Sequence, residues 1–173
     1  MIMNSRSSLL FGFLLLPLFM FSQEMNKMIT DPKSNKEILI GNCDRAGLKQ
    51  GEFGIMFNEN YKNYLPDKGV LNQLRLKKEG MDILVVLGTW CSDSQEQVPG
   101  FFKILDKIRF DKKSVQVICV DRNKEAGDVD LVNYNIVKVP TFIFYRKGRE
   151  IGRIIETPYT TLEKDMLMFF SEN

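Results

Sequence analysis

Three cysteines and no histidine bound the chemistry open to this chain. Without histidine there is no Ser-His or Cys-His catalysis and no His-containing metal site. Cysteines at 43, 91 and 119 also lack the spacing of a closed zinc site, so neither a metal nor a cofactor is expected. The cysteines themselves offer thiol chemistry. Cys91 stands in Trp90-Cys91-Ser92-Asp93-Ser94, just after the aliphatic run Ile83 to Leu87 and at the start of a segment with helical spacing. At a helix N-terminus, unpaired backbone N–H groups and the helix dipole favour the thiolate, the form that attacks a disulfide. Ser94, one turn on, is expected to donate its hydroxyl to that sulfur, while the Asp93 carboxylate opposes by charge repulsion.

A lone nucleophilic thiol can form a mixed disulfide, but a second thiol must release it. A small thiol or a substrate cysteine is one source. Cys43, in the polar stretch Gly41-Asn42-Cys43-Asp44, reads as an exposed loop thiol. It could resolve a disulfide at Cys91 if the N-terminal segment folds over the site. Cys119, inside the aliphatic stretch Val115 to Val120, reads as a buried small hydrophobe.

The elements that must position these residues follow from periodicity. Ile83 to Leu87 suits a strand buried on both faces of a helix-covered sheet. Val98, Phe101, Phe102, Leu105 and Ile108 recur at helical spacing after Cys91, with Pro99 among them and a kink expected there. Val115 to Val120 is the next strand, and Asp128 to Tyr134 is expected to be a short helical crossover before Val139-Pro140-Thr141. Phe142 to Tyr145 and Glu150 to Ile155 flank Arg146-Lys147-Gly148-Arg149, a hairpin signature. Leu162, Met166, Phe169 and Phe170 place a closing amphipathic helix, capped by Thr160 or Thr161. Upstream, Met25 to Lys36 reads as an extended lead-in with turns at Asp31-Pro32 and Ser34-Asn35. Glu37 to Gly41 reads as a short strand, Phe53 to Tyr64 as a helix, and the stretch from Leu71 to Gly80 as a second helix and its stop.

A sequence of 173 residues, 44% of them hydrophobic, fits one α/β domain with a sizeable core. Its net charge of +2 is not gathered into a basic stripe, so nucleic acid is not an expected partner. At the start, Arg6 precedes an apolar run from Leu9 to Phe21, broken by Gly12 and Pro17 and followed by small Ser22. Residues 1–22 therefore read as a signal peptide cleaved after Ser22. The mature protein would be periplasmic or secreted, in an oxidising compartment, and an uncleaved membrane anchor is the alternative.

Three features in register resemble the thioredoxin superfamily: Trp90-Cys91-Ser92-Asp93-Ser94 at a strand-to-helix junction, Pro99 eight residues later, and Val139-Pro140-Thr141 before a hairpin. The resemblance covers residues 81–173 as a thioredoxin-like core and leaves 23–80 as an N-terminal extension packed on it. It implies a central mixed β-sheet flanked by helices, and a cis proline at Pro140 lying against the Cys91 sulfur. Trp90, Val139, Pro140 and Thr141 would then form the surface that receives a polypeptide around its disulfide. Packing in the core is the other reading of Trp90. Two departures stand out, since the second cysteine of the family motif is Ser94 and the acid often buried beneath the redox pair is Val85. The implied function is thiol-disulfide exchange on exported proteins through Cys91 alone, with protein thiols and disulfides or a redox partner protein as partners. The alternative is a redox-inert module that binds peptides or a partner protein.

Overall fold

The computed structural model describes residues 24–171; the expected signal peptide at 1–22 lies outside them. The sheet is built around β3 (Met81–Leu87), in which Ile83 to Leu87 are all buried. Successive strand residues face opposite sides, so a run of this kind needs cover on both faces of the sheet. β3 pairs in parallel with β4 (Val115–Cys119) and antiparallel with β5 (Thr141–Arg146), which continues into β6 (Arg149–Ile155). The hairpin turn is Lys147-Gly148, both at positive φ (51° and 76°), the conformation that matches the twist of the strands it joins.

Beyond β4 lie β2 (Glu37–Cys43) and then β1 (Lys27–Thr30), which complete the order β1-β2-β4-β3-β5-β6. The expected extended lead-in thus contains a strand. Its turn formers close the β1–β2 hairpin, where Asp31 accepts a hydrogen bond from the Ser34 hydroxyl and Asn35 lies at φ 56°. The segment expected as an extension supplies two of the six strands in one continuous sheet.

Among the described residues five α-helices are interleaved with the strands: α1 (Arg45–Leu48), α2 (Gly51–Asn63) and α3 (Lys68–Lys77) between β2 and β3, α4 (Ser92–Ile108) between β3 and β4, and α5 (Leu162–Ser171) after β6. All bury their apolar residues in one cluster on one face of the sheet, where Phe57, Leu74, Phe101 and Met166 meet Val85, Leu87 and Phe142. α4 runs through Pro99, whose missing N–H would orphan the carbonyl of Gln95. Asn60 of α2 donates its side-chain amide to that carbonyl at 2.8 Å, so the proline is satisfied by the neighbouring helix.

The other face differs from expectation. Leu84, Val86, Ile118, Val120 and Ile143 are covered by irregular chain, chiefly Ala126 and Val139 with Val129, Leu131 and Ile136. The expected crossover helix at Asp128 to Tyr134 is reduced to a single 3-10 turn at Val132–Tyr134. Side chains in this stretch compete for the backbone. Asp121 accepts from the N–H groups of Asn123 and Glu125, Asp130 accepts from that of Val132, and Lys124, Gly127 and Asn135 all take positive φ. The fold is a six-stranded mixed sheet flanked by helices on one face and by a loop on the other.

Candidate active site

β3 ends at Leu87, and Gly88 begins the turn into α4. A Cβ at Gly88 would fall 2.6 Å from the Trp90 indole, so only glycine lets the ring fold back over this turn. The indole Nε1 donates to the carbonyl of Val120 at 2.9 Å, which anchors Trp90 to the end of β4 while leaving the residue partly exposed. The Cys91 N–H donates to the Gly88 carbonyl at 2.9 Å and closes the turn. Cys91 is the N-cap residue of α4, with extended backbone (φ −92°, ψ 128°) and partial exposure. Its thiol donates to the carbonyl of Val139 at 3.2 Å.

Val139 and Pro140 are joined by a cis peptide bond, on the short loop that enters β5. Val139 is buried, and Thr141 is buried with its hydroxyl donating to the Lys138 carbonyl at 2.6 Å. The five residues at 90, 91, 139, 140 and 141 therefore come together at the carboxyl ends of β3 and β4, as their motif implies.

Two sequence expectations are corrected. Ser94 is completely buried, and its oxygen accepts the Gly88 N–H at 3.3 Å. Its hydroxyl supports the turn beneath Cys91, and the expected donation to sulfur is not made. Cys43 is no exposed loop thiol: it is the last residue of β2, 5% exposed, with Val117 of β4 as its register partner. It belongs to the helix-side cluster, whereas Cys91 packs with the opposite one, so the sheet separates the two. A Cys43–Cys91 bridge would require unpairing β2 from the sheet. All three cysteines are free, and Cys119 is fully buried, as its aliphatic surroundings imply.

Arg122 and Asp31 join the site unannounced by sequence. The Arg122 guanidinium lies over the Trp90 ring, 4.7 Å from its centroid, beside the residue that precedes Cys91. Asp31, in the β1–β2 turn, accepts from Arg122 Nε at 2.9 Å and pairs with its Nη2 at 2.8 Å. Hydrogen bonds from Arg122, the Ser34 hydroxyl and the Lys33 N–H hold the Asp31 carboxyl well below the usual carboxylate range. Asp31-Pro32 looks like any polar turn, and no local pattern marks a pair 91 residues apart. Among the described residues, no cluster of three acidic or cysteine side chains is arranged to hold a metal ion.

The family profile described as thioredoxin matches residues 55–167. A thioredoxin-like protein of Acanthamoeba polyphaga mimivirus is 24% identical over 91 residues, covering 53% of this chain and 64% of that protein; the chain thus spans less than two thirds of that relative's length. Among solved structures, mitochondrial thioredoxin 3 from Saccharomyces cerevisiae aligns at 24% identity over 49% of this chain and 76% of its own, with a TM-score of 0.33. Fasciola hepatica thioredoxin aligns at 19% identity over 49% of this chain and 75% of its own, with a TM-score of 0.34. A Pseudomonas aeruginosa protein of unknown function covers 71% of this chain and 74% of its own at 15% identity, with a TM-score of 0.45. Because the profile spans more than half of the sequence, from within α2 into α5, and includes both the Cys91 junction and Pro140, the chain belongs to the thioredoxin family.

Proposed function

We propose that this protein carries out thiol-disulfide exchange on exported proteins, with Cys91 as its nucleophile. The observation that carries the reading is the partly exposed Cys91 thiol at the N-terminus of α4, 3.2 Å from the carbonyl that precedes Pro140. A helix N-terminus directs backbone N–H groups toward the sulfur and favours negative charge there. Trp90 on one side and Val139-Pro140 on the other would bound the groove that receives the substrate around its disulfide. Thr141 holds the loop through the Lys138 carbonyl, and Ser94 holds the turn through Gly88.

In the first step the Cys91 thiolate attacks one sulfur of the substrate disulfide. A Cys91–substrate S–S bond forms as the old one breaks, and the leaving thiolate takes a proton. In the second step an incoming thiol, from a small molecule or from the substrate itself, attacks the substrate sulfur. This releases Cys91 and leaves a new disulfide between the substrate and the incoming group. Cys43, behind the sheet, takes no part. Residues 1–22 motivate the exported location, with the mature chain beginning at Gln23.

The test is reshuffling of a scrambled disulfide protein by the mature chain. Cys91→Ala should abolish turnover, whereas Cys43→Ala and Cys119→Ala should retain it in whatever fraction remains folded. Undiminished turnover by Cys91→Ala would overturn the reading. N-terminal sequencing of protein recovered from the export compartment checks the location.

A further inference from the structure

The incoming thiol is left open by a site with one cysteine, and the residues around Trp90 bear on its chemistry. Arg122 stands just past β4, at the end of the sheet where Cys91 also sits. Its guanidinium carbon lies 4.7 Å from the Trp90 ring centroid and is held there by the ion pair with Asp31. The two partners differ in access: Asp31 is 1% exposed, while the Arg122 side chain is 32% exposed. The carboxylate is enclosed by the hairpin turn, where Ser34 and the Lys33 N–H also bind it, so an approaching solute meets the cation first.

Beside this stack lies a cleft of about 210 Å³, lined by Ser34, Lys36, Trp90, Gln95 and Arg122 among others. That space suits a small molecule and not a folded chain. The other charges nearby are largely engaged: Lys36 with Glu52, and Lys138, on the far flank of the site, with Glu156. Glu37 and Glu52 also line the cleft, Glu52 as the partner of Lys36. Arg122 borders the cleft and lies on the ring of Trp90, the cleft residue that directly precedes Cys91.

We infer that Arg122, oriented by Asp31 on the face of Trp90, selects a small carboxylate-bearing thiol or disulfide as the exchange partner of Cys91. This rests on the reading of Cys91 as the nucleophile. The partner's carboxylate meets the guanidinium while its sulfur reaches Cys91. In the disulfide form, the Cys91–sulfur bond forms as the partner's S–S bond breaks, and the leaving thiolate carries the second half away.

Two aromatic disulfides of similar size separate charge from shape: the anionic dithiobis-nitrobenzoate and the neutral dithiodipyridine. Their reaction with the mature protein is followed by release of the coloured thiol, and the modified cysteine is identified by peptide mass. Arg122→Gln should slow labelling of Cys91 by the anionic reagent about tenfold at low salt and leave the neutral reagent within about twofold. Arg122→Lys should fall between, and raised salt should erase the preference. Equal losses with both reagents, or no loss with either, would overturn the inference while leaving exchange by Cys91 intact. A charge preference confined to acidic peptide disulfides would overturn the small-molecule assignment. Failure of both reagents to label Cys91 in the unaltered protein would overturn the exchange reading itself, and this inference with it.

Discussion

Cys43 and Cys119 lie on the adjacent strands β2 and β4 inside the cluster on the helix-covered face of the sheet, and the Cys43 thiol donates to the carbonyl of Gly41, the register partner of Cys119, at 3.5 Å. Burial, reinforced by Cys43, pushes the Cys119 thiol well above its ordinary value. Neither sulfur is available to an alkylating reagent while the fold is intact, whereas Cys91 is partly exposed. Intact mass after brief treatment with iodoacetamide should show one adduct under native conditions and adducts on all three cysteines in denaturant. Two native adducts would contradict the burial of this pair.

The same burial has an alkaline signature. A thiol whose folded pKa is raised contributes stability that is complete below its unfolded value and lost as pH rises toward the folded one. The urea midpoint should therefore fall above about pH 8.5, where an unfolded thiol ionises. Cys119→Ala should flatten that decline, and an unchanged slope would show that another group is responsible.

Ser94 separates support of the turn from chemistry. Ser94→Ala leaves the Gly88 N–H without its acceptor, which should cost about 1–3 kcal/mol by denaturant titration. Labelling of Cys91 in the folded fraction should change little. Ser94→Cys places a second thiol one turn from Cys91. Oxidised dithiothreitol should then draw the pair into a disulfide, with the loss of two hydrogens from the protein mass and the gain of two by the reagent. Retention of two free thiols under that treatment would show that the sulfurs cannot meet.

Gly88→Ala tests the close approach of Trp90. The added methyl carbon would lie 2.6 Å from the indole, and the ring must swing out, losing its hydrogen bond to Val120. Overpacking of this kind costs about 1–3 kcal/mol. Because Trp90 is the only tryptophan, a red shift of its fluorescence reports the displacement directly. An unshifted spectrum at full stability would refute the packing described.

Asp31→Asn removes the negative partner of Arg122. Asp31 has a lowered pKa, so its contribution is in place above the ordinary carboxylate value and is lost as pH falls toward the folded one. The variant should melt below the parent at neutral pH, and the gap should close as the solution is acidified below about pH 4. A gap that stays constant through the acid range would assign the effect to something other than ionisation.

Much of this arrangement was legible in residue order. The absence of histidine removes His-dependent catalysis, and the junction of an aliphatic run with an amphipathic helix places Cys91 at a helix N-terminus. Lys147-Gly148 names its own hairpin. These signals are local: a periodicity, a cap or a turn is encoded within a few residues. What needed the tertiary structure depends on partners far away in sequence. Gly41-Asn42-Cys43 has the composition of a loop, yet pairing with β4 extends β2 through it and buries the thiol on the side of the sheet away from Cys91. The stretch from Asp128 to Tyr134 carries apolar residues that suggested a helix, but Asp130 binds its own backbone and the apolar side chains of Val129, Leu131 and Tyr134 are used to cover the sheet. Asp31 and Arg122 meet only because the β1–β2 hairpin and the end of β4 come together in space, and a contact across such a separation leaves no trace in local pattern.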